Sequence, residues 1–334
     1  MKLVSVVVPC YNEQEVLPMF YDEITKVTTQ MSADFPELTF EYLFINDGSK
    51  DNTLAILRSL ADRDKRVRYI SFSRNFGKES GMYAGLKNAR GDYVVVMDAD
   101  LQHPPAFLPQ MYSYVRNGEY DCATTRRVSR KGESKVRSWF ARLFYKIMNK
   151  ISQTEIVDGA QDFRFMTRQM VDAILEMSEY NRFSKGIFSW VGFSVRYIEY
   201  ENVERPAGSS SWSFWGLFKY SLEGIMAFST APLAISSLLG IVSCIIAFIL
   251  MIITVIKTIV FGEDVAGYPT TICVIFLLSG LQLFCTGILG NYLAKTYLET
   301  KHRPIYIASE TEEIYRKRKQ ESSGSAISDN KDKK

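Results

Sequence analysis

The chain has 334 residues, of which 47% are hydrophobic and 23% charged, and a net charge of +3. That length can bury a full core and hold more than one structural unit. Two histidines leave little room for a histidine-centred metal or hydrolase site, and five cysteines without a Cys-x-x-Cys argue against zinc and suit a reducing compartment.

The apolar stretch at residues 3–8 predicts a first strand, ended by Pro9-Cys10-Tyr11-Asn12-Glu13. It is too short for a signal peptide, and acidic residues follow at once. Residues 15–31 carry Val16, Phe20, Ile24, Val27 and Met31 at helical spacing. A second strand at 41–45 ends in Asn46-Asp47-Gly48-Ser49, and Asp51 is placed to cap the helix carrying Leu54, Ile56, Leu57 and Leu60. A third strand at 67–72 leads into Ser73-Arg74-Asn75-Phe76-Gly77-Lys78-Glu79 and another helix. The fourth, at 93–97, reads as buried on both faces and ends in Asp98-Ala99-Asp100-Leu101-Gln102-His103, where a Pro pair turns the chain.

Strands alternating with helices predict an α/β protein with a doubly wound, mostly parallel sheet and flanking helices. Ligands of such sheets bind outside the carboxyl ends of the strands, where every predicted strand here carries polar residues. Two carboxylates one residue apart suit Mg²⁺ or Mn²⁺ beside a phosphate. Neither a G-x-G-x-x-G nor a Walker A motif is present.

Together, Val8-Pro9-x-Tyr11-Asn12-Glu13, Asp47-Gly48-Ser49, Arg74-Asn75-Phe76-Gly77-Lys78 and Asp98-Ala99-Asp100-Leu101-Gln102 resemble inverting family-2 glycosyltransferases. The closer resemblance, over roughly residues 3–300, is to polyprenyl-phosphate glycosyltransferases. It implies a Rossmann-like GT-A fold in which Pro9, Tyr11, Glu13, Asp47, Lys78 and Asp98 serve the nucleotide of a UDP-sugar. Asp98, Asp100 and Gln102 would sit at the metal and diphosphate. Asp158-Gly159-Ala160-Gln161-Asp162-Phe163-Arg164-Phe165 resembles the family's Asp-Phe-Arg segment, making Asp162 the proposed base, with Arg164 and Asp100 completing the catalytic set. A phosphate acceptor with its second pKa at about 6 is already ionised at neutral pH, so orienting the acceptor or Arg164 is the alternative role for Asp162.

Residues 126–150 hold nine basic residues and one acid. Val136, Phe140, Leu143, Phe144, Ile147 and Ile151 fall on one helical face beside a cationic stripe, which favours an anionic bilayer over nucleic acid. Arg126, Arg127, Arg137 and, further on, Arg205 are candidates for the acceptor phosphate. Residues 212–231, rich in Trp, Phe and Tyr, predict an interfacial helix. Residues 233–256 and 272–294 are free of charge and each reach about 35 Å, enough to cross a bilayer.

The implied organisation is a GT-A domain at 1–211, two spans within 232–298, and a polar tail at 299–334 disordered beyond Ser322. The basic residues Lys219, Lys295, Lys301 and Arg303 place the domain and both termini in the cytoplasm of an integral membrane protein. Gly280, Gly287 and Gly290 would suit a homo-oligomer. The expected activity is inverting transfer of one hexose, glucose or GlcNAc, from a UDP-sugar to polyprenyl phosphate, making a lipid-linked donor for surface glycosylation. A processive polysaccharide synthase and an inactive membrane scaffold are the alternatives.

Overall fold

The computed structural model describes residues 1–127, 146–151, 157–200, 224–261 and 267–331. One eight-stranded mixed sheet forms the centre, in the order β7-β5-β6-β4-β1-β2-β3-β8. Its first half alternates as the sequence predicts: β1 (Lys2–Cys10), α1 (Leu17–Asp34), β2 (Leu38–Asn46), α2 (Thr53–Arg63), β3 (Val67–Phe72), α3 (Lys78–Asn88) and β4 (Tyr93–Val96). These four strands pair in parallel, β1 between β2 and β4. Their apolar runs are buried on both faces. Val4, Val6 and Val8 pack beneath α1 and α2, while Val7, Leu43 and Ile45 pack beneath α3.

The second half departs from a parallel sheet. After α4 (Leu108–Arg116) comes β5 (Cys122–Arg127), then β6 (Ala160–Thr167), which inserts antiparallel between β4 and β5. Helices α5 (Arg168–Glu176) and α6 (Ser184–Trp190) cover the α3 face, and β7 (Val195–Tyr200) closes that edge. The antiparallel insertion aligns Arg164 with Val96, which brings the Asp-Phe-Arg segment beside the end of β4.

α1 starts at Leu17, two residues later than the hydrophobic spacing implies, with Pro18 in its first turn. Asp51 stands one residue outside the Asn52 cap of α2 and steadies its start by accepting from the Thr53 N–H (3.0 Å) and hydroxyl (2.6 Å).

Two long helices follow, α7 (Ala231–Phe261) and α8 (Tyr268–Thr300). Their apolar stretches, Ala231–Val260 and Val274–Thr300, are long enough to cross a membrane, and most of their apolar side chains stay exposed. The chain then rejoins the sheet: β8 (Ala308–Thr311) pairs antiparallel with the edge strand β3. A path out along α7 and back along α8 therefore leaves the tail on the same side as the domain. The tail ends in α9 (Glu312–Lys331), which is helical beyond Ser322, where composition alone predicts disorder. Its first turns dock on α2, with the Arg316 side chain donating to the Ala61 carbonyl and Lys319 pairing with Asp62 at 2.7 Å. Most of the basic stretch 126–150, including Arg137, and the 201–223 stretch with Arg205 lie outside the described residues.

Candidate active site

The ends of β1, β2, β3 and β4 open on one edge of the sheet, and their loops are tied together pairwise. Between the first two loops, the Asn12 N–H donates to the Ser49 hydroxyl, the Glu13 N–H to Thr53, and the Gln14 N–H to Asp51. The Asn12 side-chain Oδ1 accepts in return from the Lys50 N–H at 2.8 Å. Tyr11 stands 42% exposed at this rim, open to a ligand.

The second tie explains two motifs at once. The buried Asp47 carboxylate accepts from the N–H groups of Phe76 (2.6 Å) and Gly77 (2.9 Å), so both its oxygens hold the loop after β3. Each oxygen keeps a second lone pair for a ligand. Burial pushes the Asp47 carboxyl up from its ordinary value, partly offset by those two amides and by Arg74. Gly48 makes the tie possible. It sits at φ +64°, and a Cβ there would lie 2.3 Å from the Arg74 carbonyl carbon. Asp47-Gly48-Ser49 and Arg74-Asn75-Phe76-Gly77-Lys78 thus form one physical unit.

Lys78, the first residue of α3, joins the two halves of the cleft. Its ammonium lies 2.8 Å from Asp98 and 2.6 Å from Asp162. Burial pushes the Asp162 carboxyl up, but Lys78, Lys185 and Arg164 outweigh it and hold the group well below the usual carboxylate range. A carboxylate so stabilised is a poor proton acceptor, which favours an orienting role over a base. Arg164 is buried against the face of Phe188, 4.4 Å from guanidinium to ring, and its Nε has no hydrogen-bond partner among the described residues.

The turn after β4 carries a donor set of mixed chemistry. Asp98, Asp100 and His103 each place one ligand atom within 4.8 Å of the others. His103 is 5% exposed, and its buried Nδ1 has no hydrogen-bond partner among the described residues. An unpaired buried polar atom of this kind costs about 1–3 kcal/mol, a deficit that a bound cation removes. The low histidine count argues against a histidine-centred site, yet one of the two histidines stands beside the acidic pair. The signal was local: His103 lies three residues beyond Asp100, in the same turn. The Gln102 backbone N–H donates to Asp100 at 3.1 Å, and Leu101 is held at φ +56°, an uncommon conformation for a branched side chain. Oxygen-rich donors with one imidazole fit a divalent cation next to a phosphate group.

Of the acceptor candidates, Arg127 lies within electrostatic reach of Tyr200, as do Asp100 and Asp98. Arg126 is engaged by the Asp158 carbonyl (3.1 Å) and by Glu199 (3.6 Å). Lys185 lies in Arg182-Phe183-Ser184-Lys185-Gly186, which resembles a family segment near the acceptor, and Glu79 ends the predicted loop after β3, but the sequence assigns neither a role. Glu79 accepts from the N–H and hydroxyl of Ser184, which fixes the start of α6 and sets Lys185 near Asp162.

Residues 5–175 match the profile of glycosyl transferase family 2. Over 304 residues the chain is 41% identical to a prophage bactoprenol glucosyl transferase homolog of Escherichia coli K12, covering 91% of this chain and 97% of that protein. It is 41% identical to the bactoprenol glucosyl transferase of Shigella phage SfV, with 91% and 97% covered. The glycosyltransferase CsbB of Bacillus subtilis is 42% identical, with 92% of each chain covered. The fold is also similar to that of glucosyl-3-phosphoglycerate synthase from Mycobacterium tuberculosis, at a TM-score of 0.43 and 18% identity over 67% of this chain and 78% of that one.

Proposed function

Because the chain belongs to glycosyl transferase family 2, we propose that it transfers one glucose from UDP-glucose to a polyprenyl phosphate, with inversion. The observation that carries this is the shared ammonium of Lys78, which joins the Asp98 side of the cleft to Asp162 and the cationic α6 side. A donor diphosphate and an acceptor phosphate are two anions that must meet within one site. Similarity to bactoprenol glucosyl transferases over nine tenths of the chain favours glucose and a lipid acceptor.

In this reading Pro9, Tyr11, Glu13 and Asp47 line the nucleotide end, and Lys78 stands where the diphosphate leaves. Asp98, Asp100 and His103, with Gln102 bracing the turn, would hold Mg²⁺ or Mn²⁺; the cation would neutralise the leaving diphosphate. The acceptor phosphate is ionised at neutral pH and needs orientation more than deprotonation. Asp162 supplies that by fixing Lys78, while Arg164, Lys185, Arg127 and, outside the described residues, Arg137 and Arg205 attract the anion.

α7 and α8 are the membrane anchor, and the return of the tail to β3 is consistent with domain and termini sharing one side. The excess of lysine and arginine on that side favours the cytoplasm, and a homo-oligomer through the spans is compatible with this placement. Full-length protein in lipid vesicles, given labelled UDP-glucose, a divalent cation and undecaprenyl phosphate, should move label into the organic phase. Label in insoluble polymer would favour a processive synthase. Absence of UDP release from UDP-glucose or UDP-GlcNAc would favour the scaffold.

A further inference from the structure

The acceptor phosphate of a lipid arrives at a height fixed by the bilayer, whereas the cleft sits in a domain joined to its anchor by chain. Misplacing reacting groups by about 1 Å can cost on the order of 100-fold in rate. Something must set the cleft against the membrane, and the exit of α8 carries contacts suited to it.

Glu299, the next-to-last residue of α8, accepts from the backbone N–H of Tyr180 (2.9 and 3.1 Å to its two oxygens) and of Asn181 (3.2 Å). Those residues open the six-residue stretch that ends at Lys185. Within it Arg182 is buried, donating to the Met177 carbonyl with its guanidinium 4.7 Å from the Tyr83 ring, and Ser184 is bound by Glu79. Phe188, further along α6, is the ring beneath Arg164. Glu299 thus grips the segment that delivers one of the two lysines at Asp162.

The other lysine is reached from the same exit. Tyr306 stacks on Phe72 (4.9 Å, 23°) and its hydroxyl accepts from Asn88 at 3.0 Å, while the Ile307 carbonyl accepts from the Ser73 N–H at 2.9 Å. Phe72 meets Phe76 edge-on at 5.7 Å, and Phe76 and Gly77 hang on Asp47 immediately before Lys78. From two points seven residues apart, the end of one span holds both walls around Asp162.

We propose that the exit of α8 is a positioning device for the acceptor half of the site, with Glu299 and Tyr306 as positioning residues that hold the two cationic walls at a fixed height above the membrane. This rests on the reading of the acceptor as a lipid phosphate. Glu299 grips the Lys185 segment, so its loss should act on acceptor use and spare donor binding, whereas Tyr306 braces the loop that also holds Asp47, so its loss should weaken both.

The test uses full-length protein in lipid nanodiscs with UDP-glucose, Mn²⁺ and undecaprenyl phosphate. Glu299→Ala should raise KM for the lipid about 10- to 100-fold while KM for UDP-glucose stays within about twofold. Tyr306→Ala should raise KM for the lipid as well, together with KM for UDP-glucose because the loop it braces also holds Asp47, and Tyr306→Phe, which keeps the stack, should restore most of the loss. Where Glu299→Ala fails to fold, Glu299→Gln retains one accepting oxygen and should show a smaller rise in the same KM alone. Amide exchange supplies a reading free of activity, with Tyr180 and Asn181 exchanging faster in either Glu299 variant. Equal rises in both KM values for Glu299→Ala, an unchanged lipid KM, or unchanged exchange at Tyr180 and Asn181 overturns the inference. If wild-type protein transfers no glucose but exchange responds as expected, the proposed function fails while the grip of Glu299 stands.

Discussion

Replacing Gly48 with Ala isolates the contact that fuses two motifs into one site. At φ +64° an alanine is strained by about 1 kcal/mol relative to glycine. Its Cβ would also fall 2.3 Å from the Arg74 carbonyl carbon, 2.6 Å from the Asn75 nitrogen and 2.7 Å from the Arg74 oxygen. All three are backbone atoms, so no rotamer change relieves the overlap, and overpacking of this kind costs a further ~1–3 kcal/mol. The sum is about 2–4 kcal/mol, or roughly 4–16 °C in Tm for a domain of this size. Gly118 is the control: it has φ +73° and nothing within 4 Å of a built Cβ, so Gly118→Ala should lose only the conformational part, about 1 kcal/mol. Scanning fluorimetry of both variants in detergent, alongside UDP titration, makes the comparison. Gly48→Ala should also weaken UDP binding, because the displaced loop carries the Phe76 and Gly77 amides that hold Asp47. The reasoning is refuted if Gly48→Ala costs no more stability than Gly118→Ala.

Asp162→Asn and Lys78→Met should each lower turnover at pH 7.5, and the double variant should be no worse than the poorer single one, since one acts through the other. Independent losses that multiply, with Asp162→Asn alone costing about 100-fold or more, would restore the base assignment. His103→Ala should weaken Mn²⁺ binding by about tenfold, read by electron paramagnetic resonance of the free ion; unchanged affinity removes His103 from the donor set. Burial raises the Asp51 carboxyl, but the bonds it accepts from Thr53 and Gln14 outweigh that and leave it below its ordinary value. A carboxyl lowered on folding stabilises the protein above its unfolded value, about 3.9, and loses that contribution as pH falls below it. Asp51→Ala should therefore cost about 1–2 kcal/mol in urea unfolding at pH 7 and clearly less at pH 3; an equal cost at both would contradict the account.

The four parallel strands, the cleft at their ends and the two apolar helices were all legible in the sequence, because each rests on local periodicity or on residues within one turn. Runs such as Val6-Val7-Val8 and Val94-Val95-Val96 declare a strand buried on both faces without any knowledge of their neighbours. Asp98 and Asp100 gain weight only beside the other strand-end motifs, since an Asp-x-Asp spacing alone is common. Long-range pairing decided the rest. That β6 runs antiparallel between β4 and β5, so that Asp162 meets Lys78 across 84 positions, follows from register and leaves no trace in composition. The tail strand β8 is a four-residue polar piece whose only reason to be a strand is the open edge of β3. Glu299 reads as an ordinary charge after a span until its carboxylate is found on backbone amides 118 and 119 positions away. Sequence fixes what each segment can be, since propensity and burial are local. Tertiary structure chose which charges share an ammonium, because contact between distant segments is set only when the whole sheet closes.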